Sequence, residues 1–131
     1  DLKALAETLK VHAHFLGARS DVPKILPAFD AFALTSRWEG EPIALLEAMA
    51  AGLPCIATAT EGACEILEDN ITGWLAPIGD IPAITQALSK ALYGEHRFTQ
   101  GQAARQAVLG RSYQALANKV LDCYTSIVVN P

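Results

Sequence analysis

Ala31-Phe32-Ala33-Leu34-Thr35, then Ser36-Arg37-Trp38-Glu39-Gly40-Glu41, then Pro42-Ile43-Ala44-Leu45-Leu46-Glu47-Ala48-Met49-Ala50-Ala51 and Gly52, reads as a strand, a polar loop and a helix in succession. The strand is apolar almost throughout, as a parallel strand covered on both faces should be. Pro42 suits the first helical position, where its missing N–H would be unpaired anyway, and Gly52 suits the stop. Polar residues directly past a strand mark where a site is to be sought.

Working upstream, Asp21 to Phe29 is predicted as a helix opened by Asp21 with Pro23 in its first turn, and Val11 to Leu16 as a short strand closed by Gly17. Leu2, Leu5 and Leu9 recur at helical spacing within Asp1 to Lys10. Only one aspartate precedes that helix, so the chain is expected to be part of a longer domain. Downstream, Pro54 to Ala59 is predicted as a strand, Ala63 to Asp69 as a short helix and Gly73 to Ala76 as a last strand. Asp80 caps a helix with Pro82 in its first turn, and about Glu95 to Val129 is helical, with Gly101 and Gly110 as weak points. Strands alternating with helices predict an α/β fold, an open parallel Rossmann-like sheet with helices on both faces, in one domain over residues 1–131. Ligands in such sheets bind beyond the carboxyl ends of the strands, here Ser36 to Glu41 and Thr58 to Gly62.

Composition narrows the function. The 131 residues, 51% hydrophobic with a formal net charge of -4, can bury one core and carry no electrostatic footprint for nucleic acid or an anionic membrane. No apolar run approaches the roughly twenty residues of a membrane span, and no signal-peptide pattern opens the chain. Cys55, Cys64 and Cys123 are odd in number and widely spaced, which fits a reducing cytoplasm rather than a disulfide framework or a zinc site.

Glu47 is the only charged residue of its helix. An unpaired buried charge costs several kcal/mol, so Glu47 is expected to be paired, hydrogen-bonded or reaching a polar ligand at the rim of the sheet. Gly40 lets the backbone approach a ligand closely, and the amides at the start of the helix are free donors with a positive dipole that suit a diphosphate, an ordinary capped turn being the alternative. Glu41 would repel phosphate if it pointed inward and is expected to face solvent. Glu39, on the loop, is free to accept hydrogen bonds from the hydroxyls of a sugar, or by itself is a solvated surface charge.

Ser36-Arg37-Trp38-Glu39-Gly40-Glu41-Pro42, Leu46-Glu47-Ala48-Met49-Ala50 and Gly52-Leu53-Pro54 together resemble glycosyltransferase family 4, whose donor motif is two glutamates separated by seven residues. Phe15-Leu16-Gly17 upstream and Glu65-Ile66, Thr72-Gly73 and Pro77 downstream fall where that family's pattern has them. The resemblance implies the C-terminal, donor-binding half of a GT-B architecture, with an N-terminal domain of the same chain holding a carbohydrate or lipid-linked acceptor. It implies a retaining glycosyl transfer from a nucleotide diphosphate sugar, with the leaving phosphate helping to deprotonate the acceptor. Polysaccharide or glycolipid synthesis, in the cytoplasm or at the inner membrane face, is the usual setting. By the same resemblance Glu47 holds the ribose hydroxyls and Glu39, the candidate catalytic residue, the hydroxyls of the transferred sugar. Gly40, Glu41, Pro42 and Ile43 form the backbone that receives the diphosphate and sugar. No metal or other cofactor is expected.

Two features depart from the family pattern. Thr60-Glu61-Gly62-Ala63-Cys64 keeps one glycine where a glycine-rich turn is usual. The basic pair that neutralises the diphosphate in similar enzymes, and a central strand, would lie upstream of Asp1. The 131-residue chain alone is therefore expected to be inactive, and either to pair Val11 to Leu16 with Ala31 to Thr35 or to expose an apolar edge. A non-catalytic nucleotide-sugar-binding or interaction module is the alternative. His12 and His14 share one face of a strand but are too few for a metal site. Cys64 has no histidine near it in sequence and suits a small buried residue rather than a nucleophile, while Trp38 suits an acceptor cleft or plain surface packing. No GxGxxG turn supports a nicotinamide-binding domain and no GxxxxGK[ST] loop a nucleotide hydrolase.

Overall fold

The computed structural model describes residues 1–129, so the last two residues of the expected domain lie outside the description. Three parallel strands, β1 (Phe32–Leu34), β2 (Cys55–Thr58) and β3 (Trp74–Ala76), lie side by side in that order. Ala57 of β2 stands opposite Leu34 of β1 and Leu75 of β3. The ladders run on past the strand ends, with Phe32 N–H donating to Pro54 O at 2.9 Å and Ala59 N–H to Ala76 O at 2.8 Å. Parallel neighbours cannot be joined by a tight hairpin, so a helix lies in each connection: α3 (Ile43–Ala50) between β1 and β2, and α4 (Glu61–Cys64) between β2 and β3.

All of β2 is buried, and its alternation assigns each face a helix. Cys55 and Ala57 pack with Leu45, Ala48 and Met49 of α3, and α6 (Arg97–Val108) adds Ala104 and Val108 to the same cluster. Ile56 points the other way, against Trp74 and against Ala87 and Ala91 of α5 (Ile81–Tyr93). The expected layers are therefore present. Burial in the first of these clusters pushes the Cys55 thiol up to about 12.

Helix starts follow the local chemistry. Asp80 caps α5 by accepting from Ala83 N–H at 2.9 Å, and Asp1 caps α1 (Leu2–Thr8) by accepting from Lys3 N–H at 2.9 Å. Asp21 precedes α2 (Val22–Ile25), which tightens into a 3-10 turn at Leu26–Ala28, but its carboxylate binds the Arg19 guanidinium instead of capping. That guanidinium holds the Asp21 carboxyl below its ordinary value. Gly110 falls in the break between α6 and α7 (Tyr113–Val129), as its composition suggested. Gly101 does not interrupt α6. A Cβ there would stand 2.3 Å from Gly52 O, so glycine is what lets α6 close on the end of α3.

Three expectations are corrected. Val11 to Leu16 forms no strand, and all six of its residues are exposed, because extended chain becomes a strand only through ladder partners and it has none among the described residues. Of the two alternatives for this segment, pairing with β1 is not seen: β1 has no partner on its outer edge among the described residues, and Val11, Phe15, Leu16 and Phe29 are exposed. The helix expected from Ala63 to Asp69 instead spans Glu61–Cys64, because the Thr60 hydroxyl accepts from Ala63 N–H and starts the turn earlier. Pro42 occupies the N-cap of α3 rather than its first helical position.

Four outcomes are expected for the 131-residue polypeptide. In Gly101→Ala, better helix propensity offers about 0.5–1 kcal/mol, whereas overpacking against an immovable carbonyl costs about 1–3 kcal/mol, so a urea titration should show net destabilisation. With native Cys55 holding its proton up to about pH 12 and the unfolded thiol releasing it from about 9.0, stability should fall as pH rises above 9.0. Thiol labelling at neutral pH should modify exposed Cys64 and Cys123 and spare Cys55 until unfolding. The open β1 edge should drive self-association on raising concentration; a monodisperse, cooperatively unfolding monomer by light scattering would refute that.

Candidate functional site at the carboxyl edge of the sheet

Because the strands are parallel, the segments following β1 and β2 emerge on the same edge, and they are tied together there. The Thr58 hydroxyl, 2% exposed, donates to Ser36 O and lies 3.4 Å from Leu34 O. Ser36 Oγ in turn donates to Glu39 Oε1 at 2.7 Å. Gly62 N–H donates to Glu39 O at 3.1 Å. A Cβ on Gly62 would stand 2.0 Å from Gly40 O, so the single glycine retained in that turn is the one the contact requires. Glu39 is half-buried, and its carboxylate is held by one oxygen while the other has no partner among the described residues.

The helix that follows begins without a side-chain cap. Ile43 N–H turns back to Glu41 O at 2.9 Å, while the amides of Gly40, Glu41 and Ala44 find no acceptor among the described residues. Unpaired donors and the positive end of the helix dipole coincide here, which favours an anion. Leu45, Ala48 and Met49 turn inward to the sheet, so Ile43 and Glu47, one helical turn apart, share an outer face.

That face lines a groove of about 640 Å³ whose opposite wall includes Arg111, Leu116 and Lys119. Glu47 is half-buried, and its carboxylate has no hydrogen bond or salt bridge among the described residues. Of the three fates expected for it, pairing within the protein is thus not what is seen, although two cations line the same groove. Arg111 donates to Glu65 O at 3.3 Å. Glu41 is exposed, as expected, and lines the groove with Ile43 and Glu47; Glu39 and Gly40 do not line it and sit against Gly62 of the β2–α4 turn, and Pro42 is buried at the start of α3. The structure therefore divides the residues expected to act together, with Glu41, Ile43 and Glu47 on a groove along α3 and Glu39 and Gly40 at the carboxyl edge of the sheet.

The sequence placed Ser36 and Thr58 at the starts of the two site stretches without giving either a role, and it did not point to Arg111 or Lys119. The first two are ordinary polar residues until the strands pair, and the last two approach Glu47 only because α6 and α7 fold back. Among the described residues no three His, Cys, Asp or Glu side chains gather as a metal site, and no helix is long and apolar enough to cross a membrane. The rings of His12 and His14 touch edge to face, 4.7 Å between centroids. Trp38 is 81% exposed, and Cys64, expected to be buried, is exposed as well.

The model of the family "Glycosyl transferases group 1" matches residues 1–107. The chain is 34% identical over 134 residues to UDP-Gal:alpha-D-GlcNAc-diphosphoundecaprenol alpha-1,3-galactosyltransferase of Escherichia coli, covering 99% of this chain and 35% of that one. It is 34% identical over 115 residues to N-acetyl-alpha-D-glucosaminyl L-malate synthase of Bacillus anthracis, covering 86% and 29% respectively. HepE of Anabaena, solved with UDP and glucose, superposes with a TM-score of 0.87 at 24% identity over 95% of this chain and 35% of its own. Sucrose-phosphate synthase of Thermosynechococcus elongatus gives 0.88 at 23% identity, over 99% and 34%. These likenesses show the fold, the Rossmann-like α/β arrangement of GT-B glycosyltransferases. The chain spans about a third of the length of the curated relatives it matches. With the family's pattern running through strands, site loop and helices alike, the chain belongs to the group 1 glycosyl transferases.

Proposed function

We propose that the chain is the donor-binding part of a retaining glycosyltransferase that moves a sugar from a nucleotide diphosphate sugar to a carbohydrate or lipid-linked acceptor. The observation that carries this reading is Glu47: a half-buried carboxylate on an otherwise apolar helix, without a protein partner among the described residues, a turn from an uncapped helix start. Holding such a group unpaired is unfavourable unless a ligand completes it. Two ribose hydroxyls are a fitting complement, since a carboxylate only accepts and each diol oxygen donates.

The remaining roles follow from the same edge. The free amides of Gly40, Glu41 and Ala44 and the positive end of α3 stabilise the diphosphate. Ile43 and Pro42 shape the backbone beside it. Arg111 and Lys119, in the groove with Glu47, add positive charge, so the reading requires no metal. Glu39, through the oxygen not held by Ser36, accepts from a hydroxyl of the transferred sugar and orients it. Charge developing on the leaving diphosphate during bond cleavage is then met by donors already in place, which is how fixed dipoles accelerate a reaction. In a retaining course the leaving phosphate receives the acceptor proton on the face from which it departs.

The acceptor and the opposing wall of the cleft would come from a preceding domain of the same polypeptide. Relatives named for a diphosphoundecaprenol-linked acceptor, from Escherichia coli and from Campylobacter jejuni, support polysaccharide or glycolipid assembly and a working position at the cytoplasmic face of a membrane. In the full-length enzyme, Glu47→Ala should weaken donor use by about 1.5–3 kcal/mol, roughly tenfold or more in kcat/KM. Steady-state kinetics against donor concentration is the measurement, and unchanged donor kinetics would remove Glu47 from the site.

A further inference from the structure

The Glu39 carboxylate is not free on its loop. A relay leads to it from the central strand: Thr58, whose side chain is buried at the end of β2, donates to the backbone carbonyl of Ser36, and Ser36 Oγ donates to Glu39 Oε1 at 2.7 Å. Each hydroxyl has one hydrogen, and each is committed to the next member of the chain. From the other side, Gly62 N–H holds Glu39 O at 3.1 Å. The backbone of residue 39 is thereby fixed by the turn after β2, and one side-chain oxygen by the loop after β1.

On the reading that Glu39 meets the transferred sugar, we infer that Ser36, held in place by Thr58, is a positioning residue that selects for the sugar moiety of the donor by presenting Glu39 Oε2 to it. The pre-set rotamer matters because a glutamate loses substantial side-chain entropy on binding, and an intramolecular donor removes part of that loss before the ligand arrives. Its effect should be confined to ligands that carry the sugar. On the same reading the nucleoside diphosphate is met by the amides of Gly40, Glu41 and Ala44 and by Glu47, none of which the hydroxyls of Ser36 and Thr58 contact.

The test is calorimetry on the full-length enzyme with two probes, UDP-glucose, or the UDP-sugar that proves to be its donor, and UDP alone. Ser36→Ala should weaken binding of the UDP-sugar by about tenfold, the scale of a hydrogen bond to a charged group, and leave UDP binding unchanged. Ser36→Thr, which keeps the hydroxyl, should restore it. In a Glu39→Gln background, Ser36→Ala should have a much smaller effect, since the two residues act as one unit. Thr58→Val against Thr58→Ser gives the same comparison one step back, should Ser36→Ala fail to fold. Equal loss for both probes would reduce Ser36 and Thr58 to a structural role and overturn the inference. Loss of UDP-sugar binding in Glu39→Gln but not in Ser36→Ala would also overturn it while leaving the proposed function standing. If Glu39→Gln itself binds both probes like the unaltered enzyme, the assignment of Glu39 to the sugar fails first, and the inference with it.

Discussion

The ladder around Cys55–Thr58 is the constraint on which the rest depends. β2 is the strand with a neighbour on each edge, and all four of its residues are buried. Its alternation sends Cys55 and Ala57 to α3 and Ile56 to α5, so one short strand sets the height of both helical layers. Its end also sets the site. The Thr58 hydroxyl reaches across to the backbone after β1, and the turn that follows Thr58 comes close enough to Gly40 that no side chain fits between. A shift of β2 by one residue would exchange its two faces and break both ties.

Helix α3 shows how one element serves core and ligand together. Leu45, Ala48 and Met49 are buried against the sheet, and this burial holds the helix without help from a side-chain cap. Leaving the N-terminus uncapped forgoes the ~1 kcal/mol that a capping side chain typically contributes. What it retains is a set of amide donors facing outward at the carboxyl edge of the sheet, beside a carboxylate with no partner among the described residues. Membership of the group 1 glycosyl transferases gives this arrangement a chemical context, in which a charged and hydroxyl-rich donor satisfies both kinds of group at once.

Glycine has a different task at each of two close approaches. Gly62 admits the backbone of the site loop, and Gly101 admits the turn at Gly52, where α6 closes over the end of α3. Both contacts are backbone to backbone, so neither can relax by a rotamer change. The first fixes the loop that carries Glu39, and the second helps bring the chain back so that Arg111 and Lys119 line the groove with Glu47.

The sequence by itself determined the layered α/β fold, the strand at β1 and the helix at α3, the cap at Asp80, the break at Gly110 and the stretch in which a site should lie. Each of these rests on local chemistry: apolar runs, a capping carboxylate, a proline or glycine at a helix boundary. Glu47 stood out as a lone charge on an apolar helix, whereas Glu39, an ordinary loop glutamate by itself, stood out through the resemblance of Ser36 to Pro42 to a family motif. Only the tertiary structure decided that Val11 to Leu16 is not a strand, that α4 begins at Glu61, that Ser36 holds Glu39, and that Arg111 and Lys119 share the groove of Glu47. Strand identity requires a partner across a ladder, and these side-chain relations join residues that only the folded backbone brings into register; no periodicity along the chain encodes distances set by what lies beside it.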